Sequence, residues 1–435
     1  MPTMNVLTDA GFDALELIEL AADSGIIDLE EVKVETDRAV FGFKKVKFEL
    51  SGQFDPDEFT GRIDSITIVQ AGEPVLELVE LKLGLAQLGL LIVTGPAALL
   101  FALLGQKYEV NGGEGGDVLL GGSGDYFGNG GNDTLIALGK ADLDGGSGAR
   151  DAASYSFVTS DTEVGVTASL ADEALNTGEA KGDTYVAIEG LIGSNYDDTL
   201  FGDKKSNQLS GGNGDDTLEG GKGRDTLDGG KATDFASYES SPSIGDDFET
   251  GVKASLATNR GYSGDAKADR YVNIEGLIGS SFDDELIGGG GGDRILGAAG
   301  DDTVSGGKDD QLWGDSTEFG IGGADTFLLR NMGDASISIM DFDIDDRVAI
   351  DRKSFALGTN FVFQDGVNFI SADDPVATGD GPTFLFDRGV QGADFRYRGE
   401  LFFDADGKGG EAAKLVARIA FDSQHYLDIF DVTLV

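Results

Sequence analysis

A nine-residue period governs the middle of this chain. GGNGDDTLE (211–219) and GGKGRDTLD (220–228) lie end to end. The same frame recurs in GGEGGDVLL (112–120), GNGGNDTLI (128–136), GSNYDDTLF (193–201), GSSFDDELI (279–287), GGGGGDRIL (288–296), GAAGDDTVS (297–305) and GIGGADTFL (320–328). A short fixed period marks stacked units, each touching mainly its neighbours. Each unit carries one large apolar residue at the same place: Leu119, Leu135, Leu200, Leu218, Leu227, Leu286, Ile295, Val304 and Phe327. One such residue in nine buries too little surface to fold a chain, so something else must supply cohesion.

The pattern is G-G-x-G-x-D-x-U-x, with U apolar. Glycine at the first, second and fourth places frees the backbone to take φ > 0 and turns several carbonyls to one side. Aspartate at the sixth place adds a carboxylate beside them. The last residues, D-x-U-x, suit a short strand with U inward. Stacked turns then form parallel sheets around a narrow aliphatic core, edged by glycine-aspartate loops. An all-oxygen shell suits a hard cation, and calcium, with 6–8 oxygen ligands, fits better than magnesium. Three copies are irregular. GGSGDYF (121–127) is two residues short, GDKKSNQLS (202–210) has Asn207 in the aspartate place, and GGKDDQLW (306–313) is one residue short. Full ion sites are not expected at 121–127 and Asn207.

Charge points the same way. Among 435 residues, 79 are Asp or Glu and 32 are Lys or Arg, a formal net charge of −47. Such a chain opposes nucleic acid and anionic membranes, which need Lys and Arg. Hard cations would relieve its self-repulsion. With no cysteine, disulfides and thiolate metal sites are excluded. The single histidine, His425, rules out a two-histidine zinc site and reads as a surface residue. The N-terminus, MPTMNVLTDAGFDALELIEL, lacks a basic n-region and a clean apolar h-region, so a Sec-type signal peptide is not expected.

The organisation falls into three regions: an α+β cap at 1–110, the repeats at 111–330 and a β-rich domain at 331–435. Residues 1–30 have helical spacing at Leu7, Leu15, Leu17, Ile18 and Leu20. VFGFKKVKFEL, RIDSITIVQ and VLELVELKL, within 32–83, read as strands. The uncharged stretch 83–105 is long enough to span a bilayer, but Gly95-Pro96 breaks it. A strand, a turn and a plugging helix is the reading favoured over membrane insertion. Within the repeats lies a longer duplication, about 145–228 and 229–313: AKGDTYVAIEGLIGSNYDD (180–198) recurs as AKADRYVNIEGLIGSSFDD (266–284). After 328, ISIMDFDIDDRVAI, GPTFLFD, FRYRGELFFDADG and AAKLVARIAF read as strands.

The nonapeptides resemble those of the RTX, or haemolysin-type calcium-binding, family. The resemblance covers about 112–328. It implies an all-β fold, a parallel β-roll solenoid with several calcium ions. By position, its calcium carboxylates would be Asp117, Asp133, Asp198, Asp216, Asp225, Asp284, Asp293, Asp302 and Asp325, with Asp151, Asp234 and Asp310 in looser copies. Loop carbonyls would come from Gly112, Gly113, Gly115, Gly211, Gly212, Gly214, Gly220, Gly221, Gly223, Gly288, Gly289 and Gly291. The segment 320–435 is similar to the C-terminal domain of serralysin-type secreted proteins, and its end, Asp431 to Val435, resembles an uncleaved type I secretion signal or an edge strand. The resemblance thus implies type I export to the outside, and with it the secretion machinery as a partner. Extracellular modules bind calcium with Kd of roughly 10⁻⁴–10⁻³ M, so such sites fill only outside the cell, and binding then drives folding.

No catalytic constellation stands out. There is no H-E-x-x-H, and GGSGD (121–125) and GGSGA (145–149) lack the last glycine of a nucleophile elbow. Paired carboxylates of the glycosidase kind stay open, since no pair stands apart in so acidic a chain. Asp404 and Asp406 suit an ion, or a hairpin turn in preference. The expected function is a calcium-folded, non-catalytic surface, matrix or adhesin-like protein. The alternatives are a membrane-active cytolysin and a glycan-binding or glycan-active exoprotein.

Overall fold

The computed structural model describes residues 108–435, apart from 122, 157–163, 244–249, 316–321, 331–335, 390–396, 409–411 and 422–426, and the backbone of six strands between 29 and 84. The expected helix near 7–20, most of 83–105 and His425 lie outside the described residues. The chain packs as two units, 1–194 and 195–435. Among the described residues the only helices are three short 3₁₀ turns.

Unit 1 begins with an antiparallel meander, Leu29–Val34, Arg38–Phe43, Val46–Asp55, Thr60–Gln70 and Glu73–Leu78. VFGFKKVKFEL is therefore not one strand but the two arms of a hairpin, with Phe41 opposite Phe48. Glu73–Leu78 pairs antiparallel with Tyr108–Asn111, which pairs parallel with Gly124–Phe127 of the repeats. The meander thus covers what would be an open sheet edge.

From there each nonapeptide gives one strand, and successive strands alternate between two parallel sheets. Leu119, Leu135, Ala153 and Leu191 stack in register in one sheet; Val110, Tyr126, Leu143 and Tyr185 stack in the other. Two nonapeptides make a turn, so each apolar residue meets its counterpart about a turn away.

Unit 2 repeats the scheme at greater length. One sheet stacks Leu200, Leu218, Ala236, Leu277, Ile295, Leu312 and Ile339. The other stacks Leu209, Leu227 and Tyr271, and farther on Ala254, Leu286, Val304, Phe327, Val348 and Val432. Leu218 and Leu227 are fully buried in different sheets, each contributing roughly 1.5–3 kcal/mol by burial.

After Phe327 the core turns aromatic. Ile337–Phe342 pairs with Lys414–Phe421, which continues into Tyr397–Asp404, Thr383–Asp387 and Phe369–Ala372. Phe355, Phe384 and Phe403 pack within 4.8–5.3 Å of one another, and Phe363 stands edge-on to Phe369 and Phe384. The chain ends in the edge strand Val432–Leu434, parallel to Arg347–Ile350. Asp404 and Asp406 form a turn, the Asp406 N–H donating to Asp404 Oδ1.

Candidate metal centre

The sixth-place aspartates stand where loop passes into strand, and they form a ladder. In Asp133, Asp151, Asp216, Asp225, Asp234, Asp302 and Asp325, Oδ1 accepts the backbone N–H of the equivalent residue one turn back. In unit 2, Asp198 donates to Asp216 (2.8 Å), Asn207 to Asp225 (2.7 Å), Asp216 to Asp234 (2.9 Å), Asp284 to Asp302 (2.7 Å) and Asp302 to Asp325 (2.9 Å). In unit 1, Asp117 donates to Asp133 and Asp133 to Asp151. Most of these pairs in unit 2 are 18 residues apart, which is two nonapeptides.

The second oxygen is the informative one. Oδ2 of Asp133, Asp151, Asp216, Asp225, Asp234, Asp302 and Asp325 is buried without a hydrogen-bond partner. A bare buried carboxylate oxygen is costly. Burial pushes the carboxyls of Asp216, Asp225 and Asp325 up to about 8, Asp302 to about 9 and Asp234 to about 6; neighbouring acids add to the rise, and the backbone N–H opposes it.

Backbone carbonyls share the place. A Cβ on Gly297 would lie 2.1 Å from the Gly314 carbonyl and 2.3 Å from Asp302 Oδ2. On Gly128 it would meet Asp133 Oδ2 at 2.4 Å and the Gly145 carbonyl at 2.5 Å. This corrects the role expected of the first glycine. Gly112, Gly211, Gly220 and Gly288 are not in the left-handed region; at Gly211 and Gly220 the carboxylate itself occupies the space a side chain would need. Left-handed backbone belongs to the second and fourth places, at Gly212, Gly214, Gly221, Gly223 and Gly291, but not at Gly113, Gly115 or Gly289.

Among the described residues no three acidic or histidine side chains converge. An ion here would be held by one carboxylate oxygen per loop and by backbone carbonyls. That set has no nitrogen or sulfur, which fits calcium.

The other aspartates chosen from the sequence are arranged differently. In Asp117, Asp284, Asp293 and Asp310, Oδ2 accepts from its own loop, at Gly113 N, Ser280 N, Gly289 N and Gly307 N respectively. Asn207 keeps its backbone rung to Asp225, while its side-chain oxygen accepts from Asp203 N of its own loop at 2.8 Å.

Other rungs lie outside the nonapeptide frame, among them Asp346, whose Oδ1 takes the N–H of Asp325 at 2.9 Å. Asp269 Oδ1 takes the N–H of Asp225 across 44 residues, and its Oδ2 takes the Tyr238 hydroxyl at 3.1 Å. Asp183 does the same with Ala141 N and Tyr155. A tyrosine hydroxyl thus fills the position left bare elsewhere. Burial pushes Asp183 up to about 7 and Asp269 to about 6. The available signal was D-x-Y, in Asp183-Thr184-Tyr185 and Asp269-Arg270-Tyr271, with tyrosine in the apolar place. Glu189 and Glu275 similarly stand for aspartate before Gly-Leu, accepting from Asp151 N and Asp234 N. Tyr238→Phe leaves Asp269 Oδ2 bare and is expected to cost about 1–3 kcal/mol in chemical denaturation of the calcium-loaded protein.

Residues 192–227 and 278–310 match the family model of the RTX calcium-binding nonapeptide repeat, in four copies. No curated protein sequence matches the chain. The matched residues contain the rungs Asp198, Asp216, Asp225, Asp284, Asp293, Asp302 and Asp310. These two stretches are thus RTX calcium-binding nonapeptide repeats, and a parallel β-roll built from such repeats binds calcium ions.

Proposed function

We propose that this protein is a secreted, non-catalytic surface, matrix or adhesin-like component that folds when it meets extracellular calcium. The observation that carries the reading is the row of bare Oδ2 atoms, each buried beside stacked loop backbone. The ligands would be Oδ2 of Asp133, Asp151, Asp216, Asp225, Asp234, Asp302 and Asp325, with loop carbonyls including those of the glycines at 211–214 and 220–223. Asp117, Asp284, Asp293 and Asp310 would join them only if their loops turned the N–H groups away. Bound calcium would neutralise the carboxylates and join carbonyl dipoles of adjacent turns.

Repeats of this kind are typical of secreted bacterial proteins. In this reading 1–110 caps the roll at 111–330, and 331–435 carries a type I secretion signal at its end. A net charge of −47 suits a chain that stays expanded until a divalent cation relieves it.

Circular dichroism of the full chain tests the reading. At pH 7.5, chelator is expected to remove most of the β signal, and millimolar calcium to restore it in one cooperative step. An identical spectrum with and without chelator would sink it.

A further inference from the structure

Unit 2 contains a cleft of about 600 Å³ lined by Arg224, Arg260, Lys267 and Arg270, with Ser206 and Tyr262. Four cations around one cavity is an unexpected arrangement in a chain of net charge −47. None of the four takes part in an ion pair among the described residues. We propose that this cleft binds a sulfate or phosphate group, free or carried as an ester on a small sugar.

The backbone brings the charges together. Arg260–Ser263 pairs antiparallel with Arg270–Val272, setting Arg260 directly opposite Arg270. Like charges in that position repel and destabilise the pair, and an anion between them reverses the sign. The connecting loop is firmly built. Gly261 N donates to the Asp269 carbonyl, Ala268 N to the Gly261 carbonyl and Tyr271 N to the Asn259 carbonyl. A 3₁₀ turn, Gly264–Ala266, is capped by the Lys267 N–H. The adjoining strand Thr226–Lys231 pairs with Arg270–Val272 and brings Arg224 to the same edge.

Two acids also line the cleft. Asp269 is satisfied at both oxygens, by Asp225 N and by the Tyr238 hydroxyl. Asp225 Oδ1 accepts from Asn207 N, and its Oδ2 belongs to the calcium set proposed above. The proposal depends on that reading only through this one neutralised charge.

The duplication supplies an internal control. ADEALNTGEAKGDTY (171–185) aligns without gaps with ATNRGYSGDAKADRY (257–271). Ala174 stands where Arg260 does, Thr184 where Arg270 does, and Asp172 and Glu173 where Thr258 and Asn259 do. The first copy sets Asp172, Glu173, Glu179 and Asp183 against Lys181; the second sets Arg260, Lys267 and Arg270 against Asp265 and Asp269. The fold therefore does not need the two arginines, and only the second copy has reversed its sign.

Guanidinium forks match oxoanions bidentately, and sulfate or phosphate offers enough oxygens for several cations at once. The volume lies within the usual range of small-molecule sites and exceeds a bare ion. Tyr262, 47% exposed, lines the cleft and supplies an aromatic ring of the kind on which a sugar can stack.

Calorimetry on the calcium-loaded full chain, titrated with inorganic sulfate, glucose 6-sulfate, glucose 6-phosphate and glucose, tests this. The anions are expected to bind and glucose not to. Tighter binding of the esters than of sulfate assigns the sugar-borne source, and equal binding assigns the free ion. Arg260→Ala with Arg270→Thr, the residues of the first copy, is expected to weaken binding at least about tenfold while leaving the calcium midpoint of folding within about twofold. Lys267→Glu, at an exposed position, is expected to do the same and serves if the double variant folds poorly. Unchanged affinity in the folded variants, or no anion binding in wild type that still folds with calcium, overturns the proposal. Failure to fold with calcium in wild type would instead count against the calcium reading.

Discussion

Asp216→Ala raises the calcium concentration needed for folding by about ten- to a hundredfold, whereas Thr217→Ala moves it by less than about twofold. Two losses combine at Asp216. Its Oδ1 holds the N–H of Asp198, which alanine leaves buried and unpartnered. Its Oδ2 is one of the bare oxygens assigned to calcium. Asp216→Asn separates the two. Asparagine keeps the acceptor for Asp198 N and puts an NH₂ group where the bare oxygen was. Asn207 shows that an amide is accepted at this place of the repeat, since its backbone N–H still reaches Asp225, although its own oxygen turns to Asp203 N of the same loop. Asp216→Asn is therefore expected to weaken calcium binding nearly as much as alanine does, yet to match or exceed wild type in residual structure without calcium. Calcium titrations of the three variants by circular dichroism measure both. Equal behaviour of Asp216→Ala and Thr217→Ala would remove Asp216 from the ligand set.

The legible part of this fold was the part with a period. Leu218 and Leu227 could be placed in different sheets because nine residues make half a turn and the D-x-U spacing fixes which residue points inward. The same period located Asp216, Asp225 and Asp302. What the period did not contain was the environment of each carboxylate. Asp284 and Asp302 occupy the same place in the repeat, but Asp284 is closed off by Ser280 and Val252, while Asp302 keeps a bare oxygen. That difference depends on how the loop closes, through residues that the repeat leaves variable. Asp183 and Asp269 were hidden because tyrosine took the apolar place and the rung spans more than forty residues. The first glycine was read through backbone freedom, its commonest use, when the reason is space. The arginine cleft was out of reach for a related reason. Arg224 and Arg270 are far apart in sequence and meet only because Thr226 pairs with Arg270.

Acid is expected to replace part of what calcium does. The carboxyls of Asp216, Asp225, Asp302 and Asp325 are raised by burial to about 8, 8, 9 and 8, against about 3.9 in an unfolded chain. Between those values the folded, metal-free state binds more protons than the unfolded one, so its stability falls as pH rises. The contribution of these groups is complete below about pH 4 and is lost as pH passes through about 8. Without calcium, the β signal should be greater at pH 5 than at pH 8.5. Calcium requires the carboxylate, so binding near pH 7 must expel close to one proton from each such group. The calcium midpoint should fall as pH rises from 6 to 8.5. General relief of a charge of −47 near the isoelectric point, about 4.1, also favours compaction at low pH, but it expels no protons when calcium binds. Calorimetry in two buffers of different ionisation enthalpy separates the two. Proton release that falls by close to two protons in Asp216→Asn plus Asp302→Asn places the effect on the ladder, and release unchanged by those substitutions places it elsewhere.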